Sequence, residues 1–289
     1  MNNGPDPDRV DRGELFVVAT PIGNLEDITL RAIRVLKEAD VIAAEDTRVT
    51  AQLLARYAIA RRPMVLHAHN ERAATGQVLK LLAENKRVAL VSDAGTPGIS
   101  DPGAILVQAV RAAGFRVTPI PGPSALAAAL SVAGIAAQRI LFCGFLPAKA
   151  SARRNAIAEL GNRTEALVFY EAPHRVIECV EDLAAGISHP GERRLLIARE
   201  ITKLYESVHE CVLDEAAEWL RGDPDRQRGE FVLILSGLEA VEESADWEKM
   251  LSTLLEDLPL AQAVRLTCAI CGAKRKPVYE RALQLKAQR

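Results

Sequence analysis

Ser92-Asp93-Ala94-Gly95-Thr96-Pro97-Gly98-Ile99-Ser100-Asp101-Pro102-Gly103 ends the apolar run Val88–Ser92 and opens the amphipathic stretch Pro102–Ala113. A loop at the carboxyl end of a strand, leading into a helix, is where open parallel sheets bind their ligands. Three glycines and two prolines let its backbone approach a ligand closely while holding its path, and Asp93 places an acceptor at the strand tip. A tight strand-to-helix turn with Asp101 as N-cap uses the same residues. Neither G-x-G-x-x-G nor G-x-x-x-x-G-K-S/T is present, so a nucleotide-like ligand without phosphates suits the loop better than a phosphate.

On either side of this loop, short β-branched runs alternate with amphipathic segments, the pattern of a parallel sheet with crossover helices. Strands are expected at Leu15–Thr20, Val41–Ala44, Met64–His67, Val88–Ser92 and Val117–Ile120. Helices are expected at Thr29–Ala39, Val49–Tyr57, Ala73–Ala83 and Pro102–Ala113, where apolar residues recur three and four apart. Pro121-Gly122-Pro123 then interrupts the chain and introduces Ser124 as a helix cap.

A second α/β lobe follows, with strands at Ile140–Gly144, Ala166–Tyr170, Leu195–Ala198, Val208–Leu213 and Phe231–Ser236 and helices at Ser151–Leu160, Pro173–Ala184 and Ala216–Arg221. The gap between Ala198 and Val208 is too short for a helix, so those strands pair antiparallel and the second sheet is mixed. From Ser244 the pattern is helical: Trp247–Glu256, Leu260–Cys271 and Val278–Lys286, either a helix-turn-helix unit or a helical cap. The expected organisation is a disordered N-terminus over 1–13, an N-terminal lobe over 14–121, a C-terminal lobe over 122–240 and a helical extension over 241–289.

Other strand ends carry chemistry-bearing residues. Thr20-Pro21-Ile22-Gly23-Asn24 would open beside the central loop if the strands are neighbours, and Ser124 and Ala125 are small enough to pack on a flat ring. Ala44-Glu45-Asp46-Thr47-Arg48 offers a proton acceptor and an anion binder, or a cap with Arg48 paired to Glu45. Phe169-Tyr170-Glu171-Ala172-Pro173-His174-Arg175 offers a ring to stack on a base and an arginine at a helix start; Tyr170 as core is the alternative. His67 and His69 lack partners at metal spacing, no G-x-S-x-G surrounds Ser124, and Cys268-Ala269-Ile270-Cys271 reads as helix packing. No metal is expected.

Composition bounds the rest. With 289 residues, 49% hydrophobic and 26% charged, the chain suits two compact lobes. No apolar run is long enough for a bilayer, Met1–Gly13 is not a basic-then-apolar signal, and the five cysteines are scattered, so a cytoplasmic protein with reduced thiols is expected. A net charge of −2 supplies no global attraction to nucleic acid. Contacts to phosphates would be local, at Arg61-Arg62, Lys149 through Arg154, Arg193-Arg194 and Lys274-Arg275-Lys276, any one of which also reads as a solvated face.

Taken together, Thr20–Leu25, Ala44–Arg48, Ser92–Pro97, Pro121–Ser124, Gly144–Pro147, Tyr170-Glu171 with His174-Arg175, and Ala198–Glu200 resemble the ribosomal RNA small subunit methyltransferase I family of the tetrapyrrole methylase superfamily, in the same order from Leu15 to Leu285. The resemblance implies a homodimer of two-lobed chains with S-adenosylmethionine in the cleft between lobes. It implies methyl transfer to the ribose 2′-oxygen of a cytidine in 16S rRNA of the small ribosomal subunit. Carried over by position, Pro21, Asp93, Ile99, Ser124, Ala125, Tyr170, Ala198 and Glu230 fall where the superfamily touches the cofactor. Removing a proton from a poorly acidic hydroxyl makes Glu45 or Asp46 the candidate base. Arg48, His69, Asn70, Arg175 and Arg199 are candidates for holding RNA, with Lys149, Arg153 and Arg154 extending the surface. A methylase of tetrapyrrole precursors and a non-enzymatic RNA-binding module are the weighed alternatives.

Overall fold

The computed structural model describes residues 13–67, 70–135, 139–238, 244–273 and 275–287. The 1–12 segment, His69 and Lys274 lie outside them. The chain forms two compact units, 1–236 and 237–289.

In the first unit, strands β1 (Glu14–Val18), β2 (Val41–Ala44), β3 (Met64–Val65), β4 (Arg87–Val91) and β5 (Arg116–Ile120) form a sheet ordered β3-β2-β4-β1-β5. Every pairing in it is parallel. The crossovers are helices α1 (Leu30–Glu38), α2 (Thr47–Arg56), α3 (Glu71–Ala83) and α4 (Ala104–Ala112). Local chemistry starts two of them: the Thr29 hydroxyl accepts from Ala32 N–H and the Asp46 carboxylate from Arg48 N–H.

Helix α4 is capped differently from the sequence expectation. Its N-cap is Gly103, not Asp101. The role passes to Glu71 from α3, whose Oε1 accepts from Gly103, Ile105 and Leu106 N–H at 2.9, 3.0 and 3.2 Å. Glu71 is 6% exposed, so a carboxylate distant in sequence supplies the negative end that a helix start favours. Gly103 has φ +133°, and a Cβ there would lie 2.9 Å from Leu90 Cδ2.

The second lobe contains α5 (Ala125–Val132), β6 (Ile140–Phe145), α6 (Ala150–Leu160), β7 (Ala166–Glu171), α7 (Val176–Gly186), β8 (Arg194–Arg199), β9 (Ser207–Val212), α8 (Ala216–Arg221) and β10 (Phe231–Leu235). Its sheet runs β6-β7-β10-β8-β9, parallel between β6 and β7 and antiparallel elsewhere, the mixed sheet expected from the short β8–β9 gap. One face buries Phe169, Val180, Leu183 and Leu233, and the other packs under α5 through Ala129, Ala198 and Val232. Each fully buried large apolar side chain contributes roughly 1.5–3 kcal/mol.

One arginine in each of two basic clusters turns inward. Arg153 is 2% exposed and bonds Asp182 at 2.6 Å and Glu178 at 3.2 Å, and Arg193 is 1% exposed with Nε on the Ser236 carbonyl. Neither is a surface phosphate contact. Clustering along a chain cannot reveal which arginine finds a buried carboxylate or carbonyl.

The second unit packs α9 (Ser244–Asp257), α10 (Leu260–Cys271) and α11 (Arg275–Ala287) around Leu251, Ala263, Val264, Val278 and Ala282. Gly272, at φ +67°, ends α10. Cys268 packs on this core and the Cys271 thiol lies 3.5 Å from Met250 Sδ.

Candidate active site

Because β1 lies between β4 and β5, the loops leaving these three strands meet. Thr20 N–H donates to Gly95 O at 2.8 Å and Gly95 N–H returns a bond to Thr20 O at 3.0 Å. Gly95 needs its positive φ, +78°, and Thr96 Oγ1 donates to the Pro123 carbonyl at 3.3 Å. Gly122 is required for another reason: a Cβ there would sit 3.0 Å from Ala19 Cβ. The three Gly/Pro loops singled out in the sequence thus form one continuous surface, tied by backbone bonds.

That surface is one wall of a cleft of about 440 Å³, and the second lobe is the other. Sites for small organic ligands commonly have about 300–1,000 Å³. Of the residues singled out in the sequence, Ile99, Ser124, Ala125, Tyr170 and Glu230 line it. Tyr170 is fixed edge-on against Phe142 and Phe145, with centroids 5.0 and 5.7 Å away, and its hydroxyl oxygen accepts from Leu126 N–H at 3.1 Å. Burial raises the phenol pKa, and the negative charge of Asp101 adds to this, so the hydroxyl stays protonated. Phe145 reaches the cleft because β6 bulges at Cys143 and Gly144 adopts φ +64°.

The remaining cofactor candidates are not among the lining residues: Pro21 and Ala198 are buried, and Asp93 is exposed. Pro21 is buried in the first loop beside Ile22, which does line the cleft. Ala198 is fully buried in β8 opposite Val232, also a lining residue. Asp93 ties β4 to β2, its Oδ1 accepting from Asp46 N–H at 2.8 Å.

The adjacent acids Glu45 and Asp46 differ sharply. Asp46 both caps α2 and chelates Arg48, which bonds it at 2.6 Å. The Arg48 side-chain bond holds its carboxyl down to about 2. Arg48 therefore pairs with Asp46 rather than Glu45, because the cap turns the Asp46 carboxylate back over the first helical turn. The Glu45 carboxyl is raised, first by burial and then by the charges of Asp101 and Asp93. Asp101, which the sequence offered only as a cap, lines the cleft, and burial raises its own pKa.

The RNA candidates divide in the same way. The Arg48 side chain is 86% exposed. Asn70 closes the turn after β3, accepting from His67 N–H and donating to Val65 O. Arg175 is spent on the Leu146 carbonyl at 2.7 Å and on Glu171. Arg199 is spent on carbonyls of Asp225, Arg228 and Tyr205 and on Ser207 Oγ. Lys203, which drew no attention in the sequence, reaches the cleft and bonds Glu200 and Glu230, both at 2.8 Å. Its bond to Glu230 joins residues 27 apart on separate turns, so sequence spacing carries no signal for that pairing.

Residues 14–217 match the family described as Tetrapyrrole (Corrin/Porphyrin) Methylases, and residues 241–286 match the RsmI C-terminal HTH domain. A two-lobed tetrapyrrole methylase fold is therefore the class. The fold is similar to that of the methyltransferase CobJ, with TM-score 0.59 at 22% identity over 78% of this chain and 95% of that one. It is also similar to uroporphyrin-III-C-methyltransferase from Thermus thermophilus, with TM-score 0.57 at 20% identity over 78% and 94%. A Thermus thermophilus uroporphyrin-III C-methyl transferase complexed with S-adenyl homocysteine aligns with TM-score 0.51 at 21% identity over 78% of this chain and 97% of that one. Relatives named ribosomal RNA small subunit methyltransferase I are 45% identical in Pseudomonas aeruginosa, over 94% of this chain and 97% of the relative, and 44% identical in Escherichia coli O157:H7, over 94% and 96%. The chain belongs to the ribosomal RNA small subunit methyltransferase I family of the tetrapyrrole methylases.

Proposed function

We propose that the protein transfers a methyl group from S-adenosylmethionine to the ribose 2′-oxygen of a cytidine in 16S rRNA of the small ribosomal subunit, working as a cytoplasmic homodimer. The observation that carries this reading is the convergence of three backbone loops of one lobe with Tyr170 and Glu230 of the other on a single cleft.

The cleft's chemistry suits this cofactor. The small residues Ser124 and Ala125 leave room for a flat ring, and the loop lacks a phosphate cradle, which adenosylmethionine does not need. Aromatic faces at Phe145 and Tyr170 and carboxylates at Asp101 and Glu230 favour a cation such as a sulfonium. Pro21 and Ala198 serve from behind, beside Ile22 and opposite Val232, and Asp93 serves by holding the end of β4 to the start of α2 through Asp46 N–H. Bound there, the cofactor supplies an electrophilic methyl group for in-line displacement.

The protein's own work is to align the hydroxyl and accept its proton. Of the two adjacent acids, Glu45 is the proposed acceptor, since its carboxyl is raised toward the working pH while Asp46 is held low by Arg48. Arg48, after β2, and Asn70, after β3, are proposed to face the RNA backbone, and His69 is proposed as a third RNA contact. Arg175 and Arg199 contribute by holding the second wall in shape. Lys149 and Arg154, with Lys274, Arg275 and Lys276 of the helical unit, are proposed as further phosphate contacts.

Calorimetry with S-adenosylmethionine, followed by methyl incorporation into small subunits isolated from cells lacking this activity, tests the reading. Stoichiometric binding and one new 2′-O-methylcytidine in 16S rRNA are expected. Methylation of a tetrapyrrole precursor instead of RNA would overturn the substrate, and absent cofactor binding would overturn the reaction.

A further inference from the structure

The two lobes also touch at the cleft's edge. Asn24 N–H, on the first loop, donates to Thr202 Oγ1 of the β8–β9 turn at 3.1 Å, across 178 residues of sequence. Beside this bond, Gly23 packs so tightly on the turn that an added Cβ would lie 2.4 Å from Lys203 Cγ and 3.0 Å from Thr202 Oγ1. A side chain added there must displace Lys203 and Thr202 or push the lobes apart.

The turn that makes this contact is held in an unfavourable shape. Glu200 and Thr202 both adopt left-handed backbone, φ +52° and +69°, and a β-branched residue is rarely found there. Polar bonds hold it. Glu200 Oε1 accepts from Glu230 N–H at 2.9 Å and from Lys203 Nζ at 2.8 Å, and Thr202 N–H donates to Glu206 at 2.5 Å. Arg199 Nη2 clamps the Tyr205 carbonyl at 3.1 Å. Gly229, at φ +86°, leaves the room that the Glu200 side chain fills. Backbone strain that the surroundings hold this firmly marks a shape that is needed.

Lys203 connects this turn to ligand binding. Its stem rests on Gly23, it lines the cleft, and its ammonium bonds Glu230, another lining residue, at 2.8 Å. We propose that Gly23, Thr202 and Lys203 form an inter-lobe latch that sets the width of the cleft, making them positioning residues for retention of the bound cofactor. The assignment of that ligand rests on the function proposed above.

The test measures S-adenosylmethionine affinity and dissociation rate together with amide hydrogen exchange at Asn24, in the full-length protein. Gly23→Ala is expected to raise Kd about tenfold, within the range of coupling between residues in contact, mainly through faster dissociation. The double variant Gly23→Ala with Lys203→Ala is expected to lose little more than Lys203→Ala alone, because the side chain that the new methyl meets has been removed. Thr202→Val should speed Asn24 exchange and cofactor release, and Thr202→Ser, which keeps the hydroxyl, should restore both. Melting temperatures distinguish loss of the latch from loss of folding. Additive losses in the double variant, or wild-type affinity and release in Gly23→Ala and Thr202→Val, would overturn the latch. If the wild-type protein binds no adenosylmethionine, the functional reading fails, and exchange at Asn24 still decides whether Thr202 joins the lobes: unchanged exchange in Thr202→Val refutes the contact and faster exchange supports it.

Discussion

The two walls of the cleft are made of different material. The first-lobe wall is largely backbone: strand-end loops cross-bonded through Thr20, Gly95 and Pro123, with glycines where a Cβ would collide. The second-lobe wall is side chains held by other side chains, as with Tyr170 between Phe142 and Phe145 and Lys203 between Glu200 and Glu230. A backbone wall keeps its shape when a side chain near it changes, but tolerates no added bulk. A side-chain wall can be dismantled one group at a time.

Substitutions test that contrast. The largest effect is expected for Glu45→Gln, beside the backbone wall. It should lower single-turnover methyl transfer by about 10²–10⁴-fold, the usual contribution of a positioned proton acceptor, with cofactor Kd unchanged by calorimetry. Asp46→Asn should leave far more of the rate. Glu71→Ala attacks the backbone wall at its support by orphaning three N–H groups, two of them buried. A loss of about 2–4 kcal/mol in urea unfolding is expected, with Glu71→Gln milder because it keeps an acceptor. On the opposite wall, Tyr170→Ala should weaken cofactor binding by roughly 10–100-fold with a smaller change in stability, as loss of a stacking ring does. The smallest effect is a displacement along the pH axis. Asp101 helps to raise the Glu45 carboxyl, so Asp101→Asn should let Glu45 lose its proton at lower pH and move the acid limb of the rate profile downward. An upward shift would show that Asp101 does not act on the proton acceptor through its charge.

Much of the first wall was legible in the chain. Gly and Pro at the ends of β-branched runs announce turns, and parallel order places those turns on one edge of a sheet, so the loops that carry Ser124 and Ala125 were marked from the residues, and Ile99 by resemblance; all three line the cleft. The second wall was legible only in part. Tyr170 and Glu230 emerged by resemblance, whereas Lys203, Phe145 and Asp101 did not, because a bulge, a strained turn and a displaced cap aim them at the cleft.

The amino-acid order by itself determined the alternation of elements, the mixed pairing of the second sheet and the Gly/Pro loops that line the cleft, since periodicity and turn chemistry act over a few residues. Tertiary structure alone decided which charges are available. It spent Arg153 and Arg193 inside the protein and Arg175 and Arg199 on nearby carbonyls. It set Glu45 and Asp46 apart and brought Gly23 against Lys203. The reason is physical: a charge's protonation and partners depend on burial and on groups within a few ångströms in space, and those neighbours come from distant parts of the chain.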